Sequence, residues 1–306
     1  MLLYETAAAD EDRVHLPGTH TLVTALVSGV LLGGLLALTA LGLSLVLGVM
    51  RLINLVHGEL VILGAYLGYA LLSGLGLDPL AGLLLVAPAL ALLAYPLQRI
   101  LLLPLLGKGL QAPLLTTFGL SVIAQNLFVL VFHADTRSLS RSYATAPLGL
   151  AGLQVPAIYA ISFAVALVVV GGVHLLVRRT GVGREIRAAS EDPVAAAVLG
   201  VDVGRVYART YALATACAGV GGVLVGLAFS FTPTTGTGYL LTGFAVVVLG
   251  GLGSVLGTLI GGIGLGVIES VGGAFFGDGY RDFIGLVVFL GFLALRPQGV
   301  LGRAER

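Results

Sequence analysis

Long apolar runs separated by short polar stretches organise this chain. The first run extends from Leu22 to Val49. About 20 apolar residues suffice to cross the hydrocarbon of a bilayer, so this run can cross with a tilt or a break. Arg51 and Asn54 interrupt it, and a second run starts near Gly58. Asp78-Pro79 closes the second run with a turn, a third covers roughly Leu80 to Leu103, and a fourth Leu114 to Phe132. Residues 133–156 read as a polar loop of turn-forming residues. The fifth run spans Ala157 to Val177 and the sixth Val206 to Phe231, with an arginine-rich stretch between them. TPTTGTG (232–238) is a break, followed by a shorter apolar piece, Tyr239 to Leu249, and then GGLGS. Two more runs cover Val255 to Phe276 and Phe283 to Leu295.

The pattern predicts an all-α, polytopic transmembrane helix bundle of about eight or nine spans, some broken or re-entrant. The count turns mainly on whether residues 239–249 cross fully or re-enter. One transmembrane domain is expected over 21–303, flanked by a polar N-terminal tail (1–20) and a short C-terminal tail (304–306). The N-terminal tail carries Glu5, Asp10, Glu11 and Asp12 against Arg13, unlike the basic start of a signal peptide.

Composition narrows the class. Residues are 58% hydrophobic and only 10% charged, where a soluble domain carries about a quarter charged. The 46 glycines suit close helix packing in lipid. Net charge is +1, which leaves no nucleic-acid footprint. The one cysteine, Cys217, can form no internal disulfide and has no metal spacing around it. No GxxxxGK[ST], HExxH or GxSxG occurs, so no P-loop and no recognisable hydrolase motif is present.

Orientation follows the basic residues. Lys and Arg concentrate at 99–108, at 178–209 and at 296–306. The positive-inside rule places these segments in the cytoplasm and the 133–156 loop outside. Arg137 and Arg141 lie on that outer side, against the rule.

Three places bring polar groups into apolar surroundings. In NLVHGE, Asn54, His57, Gly58 and Glu59 break a hydrophobic run, which costs several kcal/mol unless the groups meet protein or water. They can cap the second span at the interface, with Glu59 favoured at a helix N-terminus, or they can line a transport path. GGLGSVLG, with Gly253 and Ser254, is a second glycine-rich break. It is either a tight turn or the counterpart of the first, since paired Gly-interrupted segments mark transport paths. On the fourth span, Thr117, Ser121 and Gln125 fall at i, i+4, i+8 and share one face. Interhelical hydrogen bonding is the commoner use of such residues; lining a hydrated path is the sharper one. Glu269 is a further acidic residue within a late span.

The most polar internal stretch runs from Gly181 to Gly204, with the coupling segment 178–205 holding Arg178, Arg179, Arg184, Arg187 and Arg205. A short helix with readable ends lies inside it. Asp192 is a good N-cap and Pro193 suits the first helical position. Ala195, Ala196 and Ala197 are strong helix formers, and Gly200 can end the helix. Asp202 can cap the next one. The stretch is either a solvated basic loop that sets orientation or a docking lever for a cytoplasmic partner.

At this point the residues carry a family resemblance. RLINLVHGELVILGAY, TTFGLSVIAQN, GREIRAASEDPVAAAVLGVDV, FAVVVLGGLGSVLGTLIGGIGLGVIE and RPQGVLGR resemble, in order and spacing, the signature blocks of branched-chain amino acid ABC importer permeases, most closely the H-type subunit. The resemblance covers about Leu31 to Arg303. It implies a multi-pass subunit of a prokaryotic inner (plasma) membrane that is not itself an enzyme. It implies pairing with a second homologous permease, two cytoplasmic ATPase subunits and an extracytoplasmic substrate-binding protein. ATP and Mg would be used by those ATPases, and this chain would bind no cofactor. It implies that the loop from Ala188 to Gly200 is the coupling helix. Arg184, Arg187, Ala188, Ala189, Asp192, Pro193, Ala195, Ala196, Ala197 and Gly200 are then the coupling residues. Urea and short-chain amide importers share the same blocks. A self-sufficient secondary transporter or channel is a competing class, and it would use midplane ionisable residues, for which only Glu59 and Glu269 qualify. An intramembrane enzyme would need a nucleophile–base pair or metal cluster.

Overall fold

One helix runs through the middle of the bundle: α1 (Thr19–Met50), buried on every side from Leu32 to Val46. A helix that is apolar all round is buried all round, and here its neighbours approach through glycine. The computed structural model describes residues 18–109, 111–150 and 152–295. Most of the polar N-terminal tail, the RPQGVLGR block and the C-terminal tail lie outside the described residues.

Chain order after α1 is α2 (His57–Leu75), α3 (Pro79–Leu97), α4 (Gln111–Phe132), the short α5 (Ser142–Thr145), strands β1 (Pro147–Leu150) and β2 (Leu153–Pro156), and α6 (Ala157–Arg179). Then come α7 (Gly181–Glu191), α8 (Pro193–Val198), α9 (Val203–Ala228), α10 (Gly236–Gly250), α11 (Val255–Phe276) and α12 (Arg281–Leu295). Among the described residues, seven helices are long and apolar enough to span: α1, α2, α3 with its continuation, α4, α6, α9 and α11. Pro88 and Pro96 lie inside α3, which continues as a π-helical turn (Gln98–Leu102) and a 3-10 turn (Leu103–Leu105). Proline withholds a backbone N–H, and a looser turn absorbs the lost bond. α12 is described as far as Leu295, and α10 has 15 residues. At 1.5 Å per residue that is roughly 22 Å, short of the ~30 Å hydrocarbon. Residues 239–249 therefore belong to a helix too short to cross fully.

α1 and α11 run antiparallel and form the most extensive helix pair. Gly29 and Gly33 of α1 face Gly262 and Gly266 of α11. A Cβ on Gly33 would lie 2.4 Å from Ile263 Cα, and one on Gly266 2.5 Å from Gly29 O. No side chain fits there. Backbones touch because lipid gives no hydrophobic drive for helix association and dispersion contact must supply it. Farther along, Gly48 meets Gly253 in the same way, at 2.5 Å from its Cα.

The 133–156 segment is more ordered than a loop of turn residues. β1 and β2 pair antiparallel, with Leu150 opposite Leu153 and Gly152 at φ 85 in the turn. Strands of four residues each, ended by Pro147 and Pro156, are too short for alternation to show in sequence. The segment also clamps its neighbours: Arg137 and Phe231 exchange both backbone hydrogen bonds, at 2.9 and 2.8 Å.

Charge is sorted between the two ends of the bundle. Arg137, Arg141 and Arg281 lie near one end, each beside a carboxylate: Asp135 at 3.2 Å, Asp78 at 4.0 Å and Asp278 at 3.5 Å. At the other end, Arg51, Arg99, Lys108, Arg178, Arg179, Arg184 and Arg187 have no carboxylate within ion-pair distance among the described residues. Arg137 and Arg141, which run against the positive-inside rule by count, are neutralised locally.

The glycine contact makes a direct prediction. Gly33→Val forces backbone apart at the α1–α11 crossing, whereas Gly264, on the same helix as Gly262 but with open space around it, tolerates valine. Overpacking of this kind costs about 1–3 kcal/mol or more. Thermal unfolding in detergent should show Gly33→Val markedly less stable and Gly264→Val within ~0.5 kcal/mol of the parent.

Candidate functional site

The polar residues of NLVHGE sit deep in the bundle. α1 ends at Met50, and the backbone N–H of its cap residue Arg51 bonds Leu47 O. The chain then turns back, and α2 begins at His57, which is buried. His57 Nε2 donates to Thr39 O at 2.8 Å. A carbonyl only accepts, so Nε2 carries the proton. Thr39 lies eleven residues before Met50 in α1, about 16 Å along the axis. Residues 51–56 thus re-enter the bundle, and α2 starts well inside it. Gly42 makes room for the imidazole, since a Cβ there would lie 2.8 Å from its Cε1.

A second helix starts in the same region from the opposite direction. α9 ends at Ala228, the chain re-enters through residues 229–235, and α10 begins at Gly236. Gly236 and Gly58 touch backbone to backbone; a Cβ on Gly58 would fall 1.9 Å from Gly236 O. α2 then runs past Gly219 and Val223 of α9, toward the 133–156 end. α10 runs the other way, and Gly250 reaches Gly257 of α11 beside the Gly48–Gly253 contact. The structural partner of the 54–59 break is therefore TPTTGTG. Gly253 and Ser254 lie apart, at the basic end, where the Ser254 hydroxyl caps α11 by accepting from Gly257 N at 3.0 Å.

Asn54, His57 and Glu59 go to three different neighbours. Asn54 Nδ2 reaches Tyr211 Oη of α9 at 3.4 Å. His57 clasps α1. Glu59, 1% exposed, accepts from Gln125 Nε2 of α4 at 2.6 Å, and Gln125 Nε2 also lies 3.4 Å from Thr237 Oγ1 of α10. Glu59 Oε2 has no partner although buried. Glu59, Gln125 and Thr237 thus form one polar link between α2, α4 and α10, with Gln125 half-buried and Thr237 exposed. Thr117, on the same α4 face, accepts from Leu55 N at 3.3 Å and pins the re-entrant segment. Ser121 lies between them, 9% exposed. The structure brings Gly58, Glu59, Thr117, Ser121 and Gln125 together along α2 and α4. Thr237 and Tyr211 were not singled out from sequence. Four threonines in the 232–238 break were the available signal for the first; Tyr211, within a continuous apolar run, gave none.

Above this link, Tyr66 stacks on Phe132 at 4.2 Å between ring centroids and meets Phe231 edge-on at 5.0 Å. Phe231 of this cluster is the residue bridged to Arg137.

At the basic end, α7 and α8 join α6 to α9. α7 is a regular helix over a stretch whose sequence shows only a polar, arginine-rich connection. Its Ile186 and Ala189 are buried against the bundle, and Thr180 caps it through Gly183 N at 3.0 Å. Gly183 lets it dock, since a Cβ there would lie 2.3 Å from both Leu176 O and Val177 O. Arg187 donates to Val177 O, and Arg184 points outward, exposed. α8 has the anticipated ends. Asp192 Oδ1 accepts from Val194 N at 2.8 Å and Ala195 N at 3.0 Å, Pro193 holds the first position, and Gly200 has φ 89. Asp202 caps α9 through Arg205 N at 2.9 Å. Ala196 is 2% exposed and faces the protein, while Ala195 and Ala197 stay exposed beside larger apolar side chains. Val194, Val198 and Leu199 are 73%, 83% and 81% exposed.

Comparison with known proteins agrees with this architecture. Residues 25–293 match the family described as branched-chain amino acid transport system / permease component. The high-affinity branched-chain amino acid transport system permease protein BraD of Pseudomonas aeruginosa is 31% identical over 304 residues, covering 95% of this chain and 99% of the relative. The corresponding permease LivH of Escherichia coli is 28% identical over 293 residues, covering 91% and 94%. No solved structure matches. With its family match running from the middle of α1's first turns to the end of α12, this chain is a multi-pass membrane protein that belongs to the branched-chain amino acid transport system permease components.

Proposed function

We propose that this chain is the permease subunit of an ATP-driven importer for branched-chain or related hydrophobic amino acids. It works with a second homologous permease, two cytoplasmic ATPases that use ATP and Mg, and an extracytoplasmic binding protein. The chain itself holds no cofactor and catalyses no reaction. The observation that carries this reading is α8: a helix of six residues, capped at both ends, that presents three large apolar side chains outside the spanning helices. Large apolar side chains clustered on an exposed segment suit a partner contact. Here the patch lies beside Arg184 and the other unpaired cations, the end that the positive-inside rule assigns to the cytoplasm. α7 is locked to α6 through Gly183 and Arg187, so a push on α8 is transmitted to the spans. Ala188 and Ala189 lie on that locked helix, while Ala195 and Ala197 flank the apolar contact on α8.

The path for substrate runs along the α2–α4–α10 junction, where Gln125 and Thr237 remain accessible at the edge. The second permease closes it from the side. A hydrophobic zwitterion needs weak polar contacts there and no deep charge trap, because tight binding slows release. Asn54 and His57 hold the re-entrant segment in place, and Gly253 and Ser254 hold the α10–α11 turn at the cytoplasmic mouth.

Three outcomes test this. A cysteine at Arg184 should react with an impermeant thiol reagent in inside-out vesicles only; labelling in intact cells contradicts the orientation. Ser121→Leu should abolish uptake into vesicles while the subunits still co-purify; unchanged uptake removes this face from the path. Val198→Glu should leave the assembled permease pair intact but lose ATPase stimulation by loaded binding protein. Asp192→Ala, which removes about 1 kcal/mol of capping, should show the same defect more weakly. Full stimulation in Val198→Glu means that α8 is not the lever.

A further inference from the structure

A cavity of about 640 Å³ lies between α10, α11 and α12, and Glu59, Gln125 and Thr237 are not among its lining residues. That volume suits a small molecule. Its apolar wall includes Leu32, Leu36, Leu241 and Leu265. Its charged wall comprises Glu269, Asp278, Arg281 and Asp282. Three carboxylates therefore face one guanidinium. Arg281 is already engaged: it lies 3.5 Å from Asp278 and donates to Ser270 Oγ at 3.3 Å. Asp282 stands exposed at the mouth, in the first turn of α12. Glu269 is different. It is 7% exposed, lines the cavity, and has no hydrogen bond or ion pair among the described residues. It sits one residue before Ser270, which accepts the Arg281 bond, and one turn from Gly273, beside which the Asp278 carboxylate lies. Gly285 of α12 makes space for it, since a Cβ there would fall 2.8 Å from Glu269 Cγ. A buried acid in a membrane helix normally faces a partner, and this one faces a cavity.

We propose that this cavity binds the ammonium group of an apolar amine, with Glu269 as the buried anchor, Asp282 as the gate charge and the leucines holding the apolar body. Two sources share that chemistry, a free hydrophobic amino acid and an ethanolamine lipid headgroup. The site is separate from the α2–α4–α10 junction and stands whichever solute the protein carries.

The test uses the full chain, purified with its partner subunits, in nanodiscs of phosphatidylglycerol, which lacks an amine. Isopentylamine, isocaproate and leucine are titrated by calorimetry, and retained phosphatidylethanolamine is read by native mass spectrometry. Isopentylamine should bind saturably and isocaproate should not. Glu269→Gln should weaken amine binding at least about tenfold, the scale of one charge-assisted hydrogen bond. Leucine binding lost in Glu269→Gln identifies the amino acid as the source; selective phosphatidylethanolamine retention lost in the same variant identifies the lipid. Asp282→Lys lies at an exposed position and carries the test if Glu269→Gln does not assemble: amine affinity must fall there by a similar factor. Equal binding of isocaproate and isopentylamine, or wild-type amine affinity in the assembled variants, overturns the proposal.

Discussion

Backbone-to-backbone contact through glycine is the constraint on which this structure rests. A helix pair in lipid gains little from burying apolar surface, because lipid tails are as apolar as leucine. The gain must come from dispersion at short range, and it requires that nothing stand between the backbones. Gly29, Gly33, Gly262 and Gly266 meet that requirement for α1 and α11. Gly64 and Gly222 repeat it between α2 and α9, where a Cβ on Gly222 would lie 1.9 Å from Val61 O. The central helix is fixed on several sides, and the remaining helices are arranged around it.

That rigid centre allows an arrangement that lipid alone forbids. Irregular backbone is tolerated at membrane depth only where protein or water satisfies its polar groups. Residues 51–56 and 229–235 both re-enter the bundle, and α2 and α10 begin beside each other at Gly58 and Gly236. Their polar groups find partners on four helices: Thr39 of α1, Thr117 and Gln125 of α4, Tyr211 of α9 and Thr237 of α10. The junction is polar enough for a zwitterion to pass, yet Glu59 is masked by Gln125 rather than left as a trap.

Much of this was legible in the chain. Apolar runs marked the long spans because hydrocarbon thickness sets their length. The caps of α8 were readable because Asp192, Pro193 and Gly200 act locally. Local signals stopped where tertiary contact takes over. NLVHGE reads as a break, and GGLGS as either its counterpart or a tight turn; the structure makes GGLGS the turn and pairs the break with TPTTGTG. Glycine content reports close approach and not which backbone approaches. α7 was missed because arginine and glycine obscure an amphipathic helix whose docking depends on Gly183 meeting two carbonyls of α6. Three alanines in a row mark α8 as a helix without saying which of them is buried; Ala196 is, because the face of so short a helix is set by its ends and not by its period.

The central claim is that α10 begins inside the bundle, beside α4 and α2. Cysteines at Gln125 and Thr237, joined by a short bifunctional methanethiosulfonate, test it most directly, with the Gln125 and Ser254 pair as comparison. The account predicts rapid cross-linking of Gln125→Cys with Thr237→Cys in the assembled complex, and none with Ser254→Cys. Cross-linking to Ser254→Cys in place of Thr237→Cys would contradict it, because the glycine-rich turn and not the threonine break would then stand at the junction.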